Sequence, residues 1–376
     1  QEQEQKKQQE QEQQDQLQSS QPATATLAAV GDIMVYDTQL DDALQSDGSY
    51  NFLPSFAKVV SLLTQPDLTV GNFEANSTGA PYGGYPSFNA PESLAKTLAA
   101  VGFDMVQTAN TYSIQNGVSG LNSTLKNLRA AGLTTVGTYA SETEKNENGG
   151  IVVKEINGIK FAFIAYTKGL NSMSVPAGSE YCVNLLYTDY DSNYTKINRA
   201  GILTSIEAAK QLDPDVIVAM LHWGSEYETE VSSTQEDIAN LMFTNGVDVI
   251  LGSHPHVVGP MQMRTVTVGG EEKEVFIAYS LGNFISSMTN DYTQDSLILN
   301  LEFSKDKASG KTTISKVDYV PLYIWDNGEG ATNRYEIVDI DEALKTETDA
   351  ERIATLKAAK NNLQNNTNSS FARAGS

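Results

Sequence analysis

Apolar runs alternate with amphipathic stretches through the first third of the chain. Residues 23–30 form a β-prone run ending in Gly31-Asp32. After Pro54 the apolar positions Phe56, Val59, Val60 and Leu63 fall on one face, which predicts a helix over 56–63. Pro66 stops it, and a short strand at 68–70 leads into Gly71-Asn72-Phe73-Glu74. Pro91-Glu92 opens a helix with Leu94, Leu98 and Val101 on one side. A strand over 103–108 follows, with Asn110 just beyond it. A helix over 120–130 ends at Ala131-Gly132 before a strand at 133–136. Three strand-to-helix alternations over 23–137 predict parallel strands joined by crossover helices.

The pattern then changes. Residues 151–156 and 159–166 read as strands around Asn157-Gly158, a strong hairpin signal. A helix over 197–212, a strand at 216–221, a helix over 236–245 and a strand at 247–251 restore the parallel pattern. A second antiparallel section covers 265–279, turning at Gly269-Gly270, then 297–303 and 313–322. This α/β mixture predicts a central sheet or pair of sheets with helices outside. Residues 76–90, rich in Gly, Pro, Tyr, Ser and Asn, read as an irregular loop long enough to cover a site.

The ends differ in composition from the middle. Residues 1–22 are almost entirely polar and read as a solvated linker, 23–340 as the folded domain, 341–360 as a terminal helix and 361–376 as a frayed tail. The abrupt start with Gln fits an upstream signal, lipidated cysteine or membrane anchor lying outside this chain. No run reaches 18 apolar residues, so a transmembrane span is not expected within it. The formal charge of -22 argues against nucleic acid or anionic lipid as partners. It does not exclude an anionic substrate, because a bound cation reverses the local field. The single cysteine, Cys182, rules out an internal disulfide and reads as a small core residue.

Candidate chemistry gathers at strand ends. The three histidines of this 376-residue chain, His222, His254 and His256, fall within 35 positions. Asp32, Asn72, Glu74, Asn110 and Asn283 likewise follow apolar runs. The carboxyl ends of parallel strands share one edge, so these groups can converge there. Carboxylate, amide and imidazole are ligand types for Mn²⁺, Mg²⁺, Zn²⁺ or Fe²⁺. Singly, each could be a cap or turn residue. In His254-Pro255-His256 an extended backbone would aim both rings into one cavity. Trp223 could wall that pocket or fill the core. Glu226 and Tyr227 could contact substrate, support the ligands or lie on the surface.

Five segments carry a resemblance: Val30-Gly31-Asp32-Ile33-Met34, Gly71-Asn72-Phe73-Glu74, His222-Trp223-Gly224-Ser225-Glu226-Tyr227, Gly252-Ser253-His254-Pro255-His256 and Tyr279-Ser280-Leu281-Gly282-Asn283-Phe284. In this order, over about residues 27–300, they resemble the bacterial capsule synthesis protein CapA family, the poly-γ-glutamate synthesis accessory proteins. The resemblance implies a four-layered metallophosphoesterase-like fold, with two mixed β-sheets packed together and flanked by helices. It also implies an extracellular or cell-surface protein, anchored upstream, that assists capsule or polyglutamate synthesis, export or anchoring within a membrane-bound complex. Asp32, Glu74 and His256 would hold a first metal, and Glu74, Asn110, His222 and His254 a second.

Two departures from the family pattern bear on chemistry. Met34 stands where related enzymes have a histidine ligand, and a thioether is a poor donor to a hard cation, so one ion is expected rather than a tight pair. Tyr112 and Gln115 replace the family's usual histidine and aspartate. Two functions follow. One is metal-dependent hydrolysis of a phosphoester or of an anionic glutamyl polymer, with His222, His256, Asn110 and Tyr112 as catalytic candidates. The other is a noncatalytic polymer-binding or accessory role with a degenerate metal cavity. A structural protein without metal comes third.

Overall fold

The computed structural model describes residues 21–373. All but the last two residues of the expected linker, and positions 374–376, lie outside the described residues. The first parallel run is β1 (Ala23–Ile33), β2 (Leu68–Phe73), β3 (Met105–Gln107) and β4 (Thr134–Val136). Next come β5 (Val152–Ile156), β6 (Ile159–Thr167), β7 (Val216–His222), β8 (Val249–Ser253), β9 (Met261–Val268) and β10 (Glu271–Ala278). The chain closes with β11 (Asn283–Ile285), β12 (Asp295–Lys305), β13 (Thr312–Asp326) and β14 (Tyr335–Asp339).

These strands form two mixed sheets. One runs β14-β13-β12-β1-β2-β3-β4, with β11 also parallel to β1, and the other runs β5-β6-β7-β8-β10-β9. In the first sheet β1 to β4 are parallel and β12 to β14 antiparallel. In the second, β6, β7, β8 and β10 are parallel, with antiparallel β5 and β9 at the edges.

Strand alternation builds the layers. Leu27 and Ala29 of β1, Leu299 and Leu301 of β12, Phe161 and Phe163 of β6, and Val218 and Met220 of β7 fill the space between the sheets. The intervening Ala28, Val30 and Ile298 face outward with Phe56, Leu94 and Leu98 of the helical segments over the first sheet. Ile164, Ala219 and Leu221 pack under Ile202, Ile206, Ile238 and Met242 of the helices Arg199–Gln211 and Ser233–Thr244. The order is therefore helices, sheet, sheet, helices: the expected four layers of an α/β fold. Period-two side-chain placement is what makes each strand serve two cores.

Some boundaries differ from expectation. The helix expected over 56–63 is two short helices, Leu53–Phe56 and Val60–Thr64, broken at Val59 with ψ 3°. Phe56, Val59 and Leu63 are all fully buried, so packing sets the bend. The helix expected over 341–360 is likewise two, Ile340–Thr346 and Ala350–Asn366, because Asp349 caps the second by accepting from the amides of Glu351 and Arg352. The tail expected from 361 is correspondingly wrong. Leu363 is buried, Ala372 bridges to Tyr319, and Arg373 donates to Asp339 and Asp341. No helix among the described residues is long and apolar enough to cross a membrane.

Candidate metal centre

The carboxyl ends of the parallel strands meet along one edge of the sandwich. In the first sheet Asp32 pairs in register with Asn72 on one side and Asn283 on the other. In the second, His222 pairs with Ser253. Glycine permits the close approach: a Cβ on Gly31 would lie 1.8 Å from the Gly282 carbonyl oxygen, and one on Gly252 2.0 Å from that of Tyr279. Asp32, Glu74, His222, His254 and His256 all converge at this edge and are buried. Donor atoms of Glu74, His222 and His254 lie within 4.8 Å of one another, as do those of Asp32, Glu74 and His256.

Asn72 links the carboxylates. Its Nδ2 lies 2.7 Å from Asp32 Oδ1, 3.2 Å from Glu74 Oε2 and 3.3 Å from His222 Nδ1. Asn110 stands behind it. The Asn110 Nδ2 donates to Asn72 Oδ1 at 3.1 Å and to the Phe73 carbonyl at 2.7 Å, while its Oδ1 accepts from the Tyr112 amide at 3.1 Å. The Asn110 amide thus orients Asn72, and its Oδ1 accepts one hydrogen bond, from the Tyr112 amide.

The histidine pair differs from expectation. His254 and His256 converge through a turn, with φ of 97° and 60°, and not through an extended segment. Non-glycine residues held in the left-handed region are uncommon and cluster at functional sites. His256 Nδ1 sits 3.0 Å from Asp32 Oδ2 and 3.1 Å from Asn283 Oδ1. The His254 amide points at Asp32 Oδ2 across 3.3 Å.

Electrostatics separates these groups. Burial, then the Asp32 charge, pushes the Glu74 carboxyl well above the usual range. Burial pushes Asp32 the same way, but its bond to His256, the His256 and His222 charges and Asn72 bring it below. Burial holds His222 down to about 3, and it holds His254 well below the usual value with help from the neighbouring imidazoles, so both are neutral at pH 7. For His256, burial is outweighed by the Asp32 bond and by the Glu74, Asp32 and Glu226 charges, and the ring rises to about 9.

One atom tests whether a cation belongs here. Glu74 Oε1 is buried without a hydrogen-bond partner among the described residues. His222 Nε2 lies 3.2 Å from it but is not aimed to donate. An unsatisfied buried carboxylate oxygen is costly. Together with two neutral imidazoles, which is their ligand form, it fits a divalent cation.

Other expected residues divide. Trp223 fills the core: it is fully buried, stacks on Tyr279 at 5.8 Å and donates Nε1–H to the Tyr279 carbonyl at 3.0 Å. Glu226 and Tyr227 are exposed on the following loop, yet a Glu226 carboxylate oxygen is within 4.8 Å of His254 and His256 donor atoms. Tyr112 packs on Phe88 of the 76–90 loop, 4.6 Å between ring centroids, and burial raises its phenol above the ordinary range. Gln115 turns away, accepting from Asn171. Met34 is buried in the outer core of the first sheet.

Four further residues were not singled out from sequence. Thr111 Oγ1 lies 2.9 Å from His222 Nε2 and 3.5 Å from His254 Nδ1, and Ser253 Oγ lies 3.0 Å from His222 Nδ1. Lys168 donates through its backbone amide to the His222 carbonyl at 2.8 Å and through Nζ to that of Gly224 at 2.5 Å; burial holds its ammonium pKa down. Burial, followed by the neighbouring Tyr227, Glu74 and Glu226 groups, raises the Tyr36 phenol above its ordinary range. Lys168 directly follows β6, so the strand-end rule that selected His222 would also have found it.

The chain has known relatives. Residues 26–288 match the bacterial capsule synthesis protein family PGA_cap, and the chain belongs to that family. It is 27% identical over 310 residues to "Capsule biosynthesis protein CapA" of Bacillus anthracis, covering 80% of this chain and 67% of that protein. To "PGA biosynthesis protein CapA" of Bacillus subtilis strain 168 it is 26% identical over 305 residues, covering 77% and 70%. Among solved structures it is similar to a novel phosphatase from Mycoplasma pneumoniae, with TM-score 0.43 and 14% identity over 80% of this chain and 94% of that one.

Proposed function

We propose that this chain is a cell-surface participant in capsule or poly-γ-glutamate biosynthesis, anchored through a segment outside it, whose strand-end cluster holds a divalent cation for hydrolysis of an anionic substrate. The unpartnered Glu74 Oε1, buried among neutral His222 and His254, carries this reading. Glu74, His222 and His254 would hold the ion, with Asp32 and His256 beside it. Bound there, it would act as a Lewis acid toward a phosphoryl or acyl oxygen.

The chain's own groups divide the remaining work. Asn110 fixes Asn72, which orients Asp32 and Glu74. His256 keeps a proton at Nδ1 against Asp32 and is placed to move it. The Tyr112 and Tyr36 phenols stay protonated at neutral pH and can only donate to substrate oxygens. Lys168, over the turn after β7, offsets substrate negative charge.

Phosphodiesters and polyglutamate are the substrate classes to assay with metal-reconstituted protein. Elemental analysis should find a bound or restorable divalent ion, and His222→Ala should abolish any metal-dependent turnover. A protein that neither carries nor accepts such an ion would overturn the reading. A noncatalytic polymer-binding role is favoured by one observation: Tyr112, at the position of the usual histidine, is packed against Phe88 with a phenol too weakly acidic for proton transfer at neutral pH. A protein that binds the ion but turns over neither substrate class would support that role.

A further inference from the structure

We propose that the cleft between Lys145 and the helix Arg199–Gln211 is a binding site for a single carboxylate group, carried by a small organic acid or by a glutamyl polymer. It lies outside the metal centre, and its ligand does not require an ion there. Only the polymer source rests on the preceding reading. The cleft has a volume of about 350 Å³, and Lys145, Tyr166, Asn184 and Thr204 are among its walls. Tyr166 stands one residue before Thr167, which pairs in register with His222. The cleft therefore lies at the histidine-bearing end of β6, on the helical side of the second sheet.

Lys145 brings a charge that the protein does not balance. It belongs to the short helix Glu142–Asn146, and its Nζ donates to Asn184 Oδ1 at 2.6 Å, 4.6 Å from the centroid of the Tyr139 ring. Asn184 is fixed from its other end, because its Nδ2 donates to the Tyr139 hydroxyl and to the Ala165 carbonyl, both at 2.9 Å. An ammonium has three donors, so two remain for a ligand. Among the described residues no carboxylate pairs with it, whereas Lys273, Lys305 and Lys360, also partly buried, each pair with an aspartate. This chain has 47 acidic residues against 25 basic ones, so acids to pair with are not scarce. The Asn184 amide satisfies one donor without cancelling the charge, and burial holds the ammonium down to about 8. An anion in the cleft would supply the missing charge.

The rest of the wall selects the anion. Val183 and Leu185 form an apolar side that suits an aliphatic stem, and Thr204 contributes a hydroxyl. Glu180, exposed at the margin of the cleft, opposes a second negative charge. One ammonium facing neutral donors, with a carboxylate nearby, matches a monoanion better than a phosphate dianion.

Isothermal titration of the full chain, as purified and again after metal removal and dialysis, tests this in wild type, Lys145→Met and Lys126→Met. The probes are butyrate, its neutral counterpart butyramide, inorganic phosphate and an oligo-γ-glutamate. Lys126 is an exposed lysine on another helix and controls for general charge. Butyrate or the oligomer should bind saturably with and without metal, about tenfold or more weakly in Lys145→Met and equally well in Lys126→Met. Tighter binding of the oligomer than of butyrate would assign the carboxylate to the polymer, and equal binding would assign it to a free acid. A second readout needs no variant: the bound acid should slow acylation of Lys145, followed by mass spectrometry, and leave that of Lys126 unchanged. Binding of neither acid, equal binding of butyramide, tighter binding of phosphate, binding only with metal present, unchanged affinity in Lys145→Met or an equal loss in Lys126→Met would each overturn the inference. None of these outcomes touches the metal reading, which elemental analysis decides separately.

Discussion

Asn72 donates its side-chain amide to Asp32 across 2.7 Å, joining the ends of β2 and β1. The same NH₂ group reaches Glu74 and His222, so two hydrogens serve three acceptors. Asn72→Leu keeps the volume but removes this donor from all three and the Oδ1 acceptor from Asn110. In chelator it should cost about 1–3 kcal/mol by urea denaturation, the penalty of leaving buried polar groups unmet. Cation affinity should fall about 10–100-fold, the usual effect of losing a group that orients ligands.

Glu74 should make the metal-free protein sensitive to pH. Its folded carboxyl titrates well above the ordinary value because of burial and the Asp32 charge. The stability it contributes is present at low pH and lost as pH rises through the folded value. Glu74→Gln should therefore be more stable than wild type at neutral pH in chelator, with the advantage vanishing near pH 4. Addition of Mn²⁺ should reverse the order, raising the wild-type Tm and leaving the variant's unchanged.

Asp295 makes a similar case away from the site. Burial raises its carboxyl to about 6 despite the bond from Asn362 on the last helix. The folded state holds the proton more tightly, so stability should fall as pH rises from 4 to 6. Asp295→Asn should remove that slope and be more stable than wild type at pH 7, by up to about 2–3 kcal/mol, the worth of roughly two pKa units. Denaturant melts at pH 4 and pH 7 provide the check.

Gly252→Ala should be among the most damaging small substitutions. The added carbon would lie 2.0 Å from the Tyr279 carbonyl oxygen and 2.8 Å from Trp223 Nε1. Because Gly252 leads directly into Ser253 and His254, relief of that clash moves the site. A loss of roughly 3 kcal/mol or more is expected, with weakened cation binding. Gly259→Ala, whose new carbon meets nothing closer than 3.5 Å, should stay within about 1 kcal/mol in the same thermal melts.

Much of the fold and the donor set was legible in the sequence because both depend on period-two alternation and on polar residues at strand ends. Leu27 and Ala28 divide between cores as the pattern requires, and Asp32, Glu74, His222, His254 and His256 meet as the parallel strands dictate. What escaped depends on three-dimensional packing. The break at Val59 follows from its own burial, and the left-handed turn at His254 from the contact between Pro255 and Tyr227. Asn110 was assigned by residue type, but its bonds to Asn72, Phe73 and Tyr112, which hold Asn72 in place, depend on packing that the sequence does not show. The polar 361–376 stretch hides Leu363 and Arg373, whose partners lie on distant strands.

The donors do not belong to one sheet. Asp32 and Glu74 leave the first, while His222, His254 and His256 leave the second. An ion held among them would act as a rivet through the open rim of the sandwich, and its fit would depend on the spacing set by side chains such as Phe163 and Leu299 in the layer between. Occupancy and sheet separation are then two readings of one coordinate. A pull on this rim or a substitution deep in that layer would be felt at a bound ion without touching a ligand.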